Sequence, residues 1–109
     1  ISPIRDYIHI MDLIEAHFLA LEDNSLDIKI FNVGTGRGYT VLEIVKTFER
    51  VNNISIPSNF LARREGDVGI CYADNSYIKK YLGWLPSRSL ENMCKDAYTF
   101  SQGNKYFSP

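Results

Sequence analysis

Residues 31–45 read FNVGTGRGYTVLEIV. A short apolar run meets Gly34, Gly36 and Gly38, and apolar residues then recur with a helical period. That is the outline of a phosphate-cradling turn, so the glycine spacing decides the reading. A dinucleotide loop needs glycines at its first, third and sixth positions, for the turn, for backbone approach to a pyrophosphate and for helix–strand packing. Gly34 and Gly36 fit, but Tyr39 holds the sixth position and Gly38 lies one place early. No acidic residue stands about twenty residues on, and no Gly-Lys-Ser/Thr marks a P-loop. The stretch reads instead as a strand-to-helix turn. Its glycines supply left-handed backbone, and Thr40 with Glu43 forms a capping box on the helix that follows. A helix N-terminus still attracts anions, so the loop could border a ligand's phosphate or ribose without binding a dinucleotide.

Outward from this turn the pattern is mixed. Arg5–Ile10 and Ile28–Val33 alternate or run apolar and predict strands. Asp12 with Glu15 predicts a capped helix that ends near Glu22, with Leu13, Ala16, Ala20 and Leu21 on one face. Val41, Ile44, Val45 and Phe48 predict a buried stripe on the next helix, ended by Asn52-Asn53 and Pro57. Phe60–Ala62 and Ile70–Ala73 are candidate short extended segments. Asp74 is placed to cap a helix through Tyr81 that Gly83 ends, and Ser89 to cap a last one closed by Gly103. Leu90, Met93, Cys94 and Ala97 predict that helix's apolar face. The expectation is an α/β fold, a small mixed sheet with about four helices, in residues 1–103, with 104–109 a loose tail. So thin a sheet is expected to pack against something larger.

The bulk properties exclude several classes. At 109 residues the chain is one domain's worth, and 45% hydrophobic with 23% charged residues suits an ordinary globule. A net charge of −1 argues against general nucleic-acid binding. No apolar run approaches the length of a membrane span. The first residues, ISPIRDYIHIMD, show neither an initiator Met nor a signal-peptide plan, which predicts a fragment or processed piece. Cys71 and Cys94, with His9 and His17, do not make a zinc pattern, and they read as reduced thiols and structural histidines of a cytoplasmic protein. Trp84 and Tyr98 read as core or interface anchors.

The chemistry concentrates in Arg63-Arg64-Glu65-Gly66-Asp67. Guanidinium forks match phosphate oxygens, an Asp three residues on can accept from sugar hydroxyls, and Gly66 permits a tight bend. Arg5 could add a second fork. The competing reading is a solvated charged loop with local ion pairs. No catalytic pair emerges, because no tyrosine has a lysine four residues later and no Gly-x-Ser-x-Gly elbow occurs.

Four blocks, RDYIHIMDL, IFNVGTGRGYTVLEIV, ARREGDVGICYAD and YLGWLPSRSLENMCKD, in this order and spacing, resemble the C-terminal, UDP-sugar-binding part of the UDP-glucose 4-epimerase family. These are extended short-chain dehydrogenases/reductases with an N-terminal Rossmann domain that binds NAD. The resemblance covers nearly all of Arg5 to Ala97. It implies diphosphate contacts from Arg5 and Arg64, a ribose contact from Asp67, Tyr7 near the same ligand, and Val41 beside the nucleoside. Cys71 falls where the family lines the sugar pocket. A Tyr there narrows the pocket, and a Cys leaves room for N-acetylated sugars. The NAD fingerprint, the Tyr-x-x-x-Lys pair and the catalytic Ser/Thr are absent. The resemblance therefore implies no catalytic, cofactor-binding or metal residue in this chain, and inactivity on its own. The parent is expected to be a homodimer of galactose metabolism with no membrane or nucleic-acid partner. Another nucleotide-sugar-modifying member of the superfamily, or a non-catalytic interaction fragment, are the competing identities.

Overall fold

The computed structural model describes residues 3–24, 27, 29–59 and 65–103. Its elements are β1 (Ile4–Arg5), α1 (Ile10–Leu21), β2 (Tyr39–Thr40), α2 (Val41–Asn52), β3 (Ile70–Cys71), α3 (Ser76–Leu82) and α4 (Leu90–Gly103). The mixed sheet runs β2-β1-β3. β1 is antiparallel to β2, with Arg5 opposite Tyr39, and parallel to β3, with Arg5 opposite Cys71. The expected small α/β fold with four helices is what forms.

The first helix starts earlier than the sequence pattern predicts. His9, not Asp12, is its N-cap: the ring Nδ1 accepts the Met11 N–H at 3.0 Å, and Nε2 lies 2.7 Å from Asp96. Since Nδ1 accepts, Nε2 carries the proton that faces the Asp96 carboxylate. His9 thus ends the strand that was expected to reach Ile10. Asp12 is fully buried and acts over a distance. Its carboxylate accepts the N–H groups of Ser87 and Arg88, the Ser87 hydroxyl and, at 2.7 Å, the Arg88 guanidinium. Burial pushes this carboxyl upward, but the Arg88 N–H, the Arg88 guanidinium and the Ser87 N–H together hold it below its usual range. The Asp12 carbonyl also accepts the Trp84 indole N–H at 2.9 Å.

Trp84, Ile78 and Ala16 form the buried core, with Ile8, Leu19, Phe31, Val33 and Leu82 packed around it. A second contact joins α2 to α4 through the Phe48 and Tyr98 rings, 5.8 Å apart and edge-to-face. The Thr40–Glu43 capping box forms, Asn53 (φ 53°) and Gly83 (φ 68°) end their helices in left-handed backbone, and Ser89 accepts the Asn92 N–H. Asp74 accepts the N–H and hydroxyl of Ser76 at the start of α3, one residue before the N-cap position. Burial pushes the Cys94 thiol up, and both cysteines are unbridged.

Three expectations fail for one physical reason. Residues 29–33 keep the side-chain alternation of a strand, with Phe31 and Val33 inward and Ile30 and Asn32 outward, but have no ladder among the described residues. Alternation alone does not make a strand, because the backbone groups need a neighbour. On α1, Leu21, expected on the helix's apolar face, is 80% exposed, and on α2 Val41, expected in a buried stripe, is 51% exposed. The radius of gyration, 16.5 Å, exceeds the roughly 13 Å of a compact chain of about this length. Apolar faces are therefore left open. Ile28, the segment 60–64 and the tail 104–109 lie outside the described residues, so the candidate strand at Phe60–Ala62 does too.

Candidate functional site

The glycine turn does hold an anion, and the anion is the protein's own Asp6. One carboxylate oxygen accepts the Thr35 N–H at 3.0 Å and the Thr35 hydroxyl at 2.6 Å. The other accepts the Gly36 N–H at 2.9 Å and the Ala73 N–H at 3.1 Å. Four donors from two segments thus converge on one side chain of β1's extension. The glycines permit this approach. A Cβ on Gly34 would stand 2.6 Å from Ala73 Cβ and 2.7 Å from Asp6 Oδ2, Gly36 has φ +78°, and a Cβ on Gly38 would strike Ile4 Cγ2. Asn75 locks the turn further by donating to the Gly34 carbonyl at 2.9 Å. At the start of α2 the capping box takes up the Glu43 N–H. The loop therefore fits a dinucleotide pyrophosphate poorly: the Thr35, Gly36 and Arg37 N–H groups at the heart of the turn are engaged within the protein.

Beside this knot lies a hollow of about 500 Å³, lined by Arg5, Asp6, Asn32, Cys71, Tyr72 and Asp74 among others. The pairing of β1 with β3 sets Arg5 and Cys71 side by side on its wall. Arg5 returns one N–H to the Ile4 carbonyl at 2.9 Å. Among the described residues no carboxylate lies within ion-pair distance of its guanidinium. The two acids on the same wall are committed elsewhere, Asp6 to the glycine turn and Asp74 to Ser76. The Ser76 hydroxyl and N–H hold the Asp74 carboxyl below its usual range.

The other candidates are placed as follows. Asp67, half-buried, follows a turn in which Gly66 has φ +83°, and it precedes β3 on the segment that supplies Cys71. Cys71 is exposed. Tyr7 lines a different, apolar groove of about 840 Å³ between the start of α1, α2 and α4, bordered by His9, Phe48, Met93 and Phe100. Val41 is the first residue of α2 and lines neither cavity. Arg64 lies outside the described residues. Sequence reading missed Asp6. Its only local signal is an acid beside Arg5, and its partners lie 29, 30 and 67 residues away. His17 Nδ1 donates to the Leu13 carbonyl, 2.8 Å away, within its own helix.

A mixed α/β layer whose paired strands set in one hollow an arginine with no carboxylate partner among the described residues is the kind of substructure that grips an anionic ligand. Residues 1–97 match the family described as GDP-mannose 4,6 dehydratase, and the chain belongs to that family. Among curated relatives, the UDP-glucose 4-epimerase of Bacillus subtilis is 47% identical over 105 residues, which are 94% of this chain and 31% of that protein. Among solved structures, UDP-glucose 4-epimerase from Bifidobacterium longum, in complex with NAD+ and UDP, superposes with a TM-score of 0.89 at 35% identity, over 94% of this chain and 31% of that one. The UDP-Glc/GlcNAc 4-epimerase of Campylobacter jejuni superposes with a TM-score of 0.79 at 30% identity, over 94% and 32%. The chain spans about a third of the length of the relatives it matches. No helix among the described residues is long and apolar enough to cross a membrane.

Proposed function

We propose that this chain is the UDP-sugar-binding part of a UDP-glucose 4-epimerase that also takes UDP-GlcNAc and UDP-GalNAc. The observation that carries the reading is the Arg5 guanidinium, without a carboxylate partner among the described residues and beside Cys71 in one hollow. Arg5 and Arg64 grip the diphosphate, Asp67 the ribose, Tyr7 the same ligand, and Val41 borders the nucleoside. Cys71 faces the sugar and leaves space for an N-acetyl group. Likeness to a relative described as a UDP-Glc/GlcNAc epimerase supports this breadth. NAD and the catalytic base belong to the two thirds of the relatives' length that the chain does not span, and the chain alone turns nothing over. The parent is read as a cytoplasmic homodimer serving galactose metabolism.

The test is Cys71→Tyr in the protein that joins this chain to that remainder. UDP-GlcNAc epimerisation should fall by an order of magnitude or more while UDP-galactose turnover persists. Equal retention of both activities would count against the reading.

A further inference from the structure

Asp6 and Arg5 line one hollow, and among the described residues they form no ion pair. Asp6 follows Arg5 directly in the chain. Its two oxygens are instead saturated by Thr35, Gly36 and Ala73. Every donor comes from a segment that walls the hollow or abuts it: Ala73 follows Cys71-Tyr72, and Thr35-Gly36 follows Asn32-Val33. The Gly34 geometry shows how closely these segments approach, with Ala73 Cβ and Asp6 Oδ2 both where a side chain would start.

We propose that Asp6 is a positioning residue of the ligand site. Its carboxylate, captured by the glycine turn and the Ala73 N–H, is held off Arg5 and clamps the segment after β3 against β1. The guanidinium thereby stays available to a nucleoside diphosphate, and Cys71-Tyr72 stay at a fixed distance from it. The glycine cluster serves this purpose: it is a cradle for an internal carboxylate, and the arginine it frees takes the external anion. This inference rests on the nucleotide-sugar reading above.

The test is a double-mutant cycle on the 109-residue chain, with affinities for UDP and uridine followed by amide chemical-shift titration. Asp6→Asn keeps the shape but turns one acceptor end into a donor that faces N–H groups. It should weaken UDP roughly tenfold, the scale of one charge-assisted hydrogen bond, and leave uridine unchanged. Arg5→Ala should lose at least as much, and adding Asp6→Asn to it should cost little more. Additive losses, or equal weakening of UDP and uridine, would show Asp6 to be merely structural and overturn the proposal. If Arg5→Ala weakens UDP and Asp6→Asn does not, only the Asp6 proposal fails. If the unmodified chain ignores UDP, or Arg5→Ala leaves its affinity intact, the nucleotide reading fails and takes this proposal with it. Should Asp6→Asn unfold the chain, Thr35→Val removes the hydroxyl that donates to Asp6 at 2.6 Å, together with its local contacts to the Arg37 N–H and carbonyl. It should give a smaller loss specific to UDP that vanishes in the Arg5→Ala background, and a loss that persists there would refute the clamp.

Discussion

Adding one methyl group at Gly34 should damage this protein more than its size suggests. Gly34→Ala sets Cβ 2.6 Å from Ala73 Cβ and 2.7 Å from Asp6 Oδ2. Carbon atoms rest about 3.5–4.0 Å apart, so roughly 1 Å must be found. The neighbours cannot give way singly, since Ala73 and Asp6 are hydrogen-bonded to each other and Asp6 also holds Thr35 and Gly36. Overpacking of this kind costs about 1–3 kcal/mol, and losing one bond to the Asp6 carboxylate adds about 1.5 kcal/mol or more. The expected loss is about 2–5 kcal/mol, a large share of the roughly 5–15 kcal/mol that folded domains have. Urea unfolding followed by Trp84 fluorescence should show the midpoint lowered by roughly 1–3 M. Gly66→Ala is the control. Nothing lies within 4 Å of its new methyl, and only its φ of +83° is penalised, at about 1–2 kcal/mol. If Gly34→Ala matches wild type, or loses no more than Gly66→Ala, the three-segment knot around Asp6 is not what holds this site.

Other outcomes follow from the same contacts. Asp12→Ala leaves Arg88 and two N–H groups without their buried acceptor and should cost about 3–5 kcal/mol in chemical denaturation. Because the folded-state Asp12 carboxyl lies below its ordinary 3.8, its contribution is present in full above that pH and is lost as pH falls through the lower folded value. An acid titration of stability should therefore steepen below pH 3.8 in wild type, and less so in Asp12→Ala. Thr40→Ala removes the capping box at α2 and should lower stability by about 1 kcal/mol, read from the same urea curves. Phe18→Ser and Leu21→Ser, at positions 62% and 80% exposed, should leave the unfolding free energy from urea curves within about 0.5 kcal/mol of wild type.

Local chemistry was readable from the sequence wherever the partners are near in the chain. Thr40 with Glu43, Gly83 after α3 and Ser89 before α4 each act within a few residues, and each forms as expected. Asp12 misled because its partners, Ser87 and Arg88, lie 75 and 76 residues on, while its local surroundings mimic a helix cap. His9 was free to take the cap because an imidazole nitrogen can accept as a carboxylate does. The strand expected at Ile28–Val33 carries the right alternation but finds no ladder among the described residues, a deficiency no single segment can reveal. Of the site, the sequence offered Arg5 and Cys71 but not their adjacency, which the parallel register of β1 and β3 creates. Asp6 was hidden for the reason Asp12 misled: its role is defined by donors far away in the chain.

The central claim is that Arg5 and the Cys71 segment form one wall that grips a uridine diphosphate. Titrating isotope-labelled chain with UDP tests it most directly. Amide shifts should concentrate at Arg5–Tyr7 and Cys71–Asp74 and reach Asp67 and Val41, with little change at Phe48, Met93 and Phe100 in the groove whose edge Tyr7 lines. Shifts centred on that groove, or a spectrum that UDP leaves unmoved, would contradict the account.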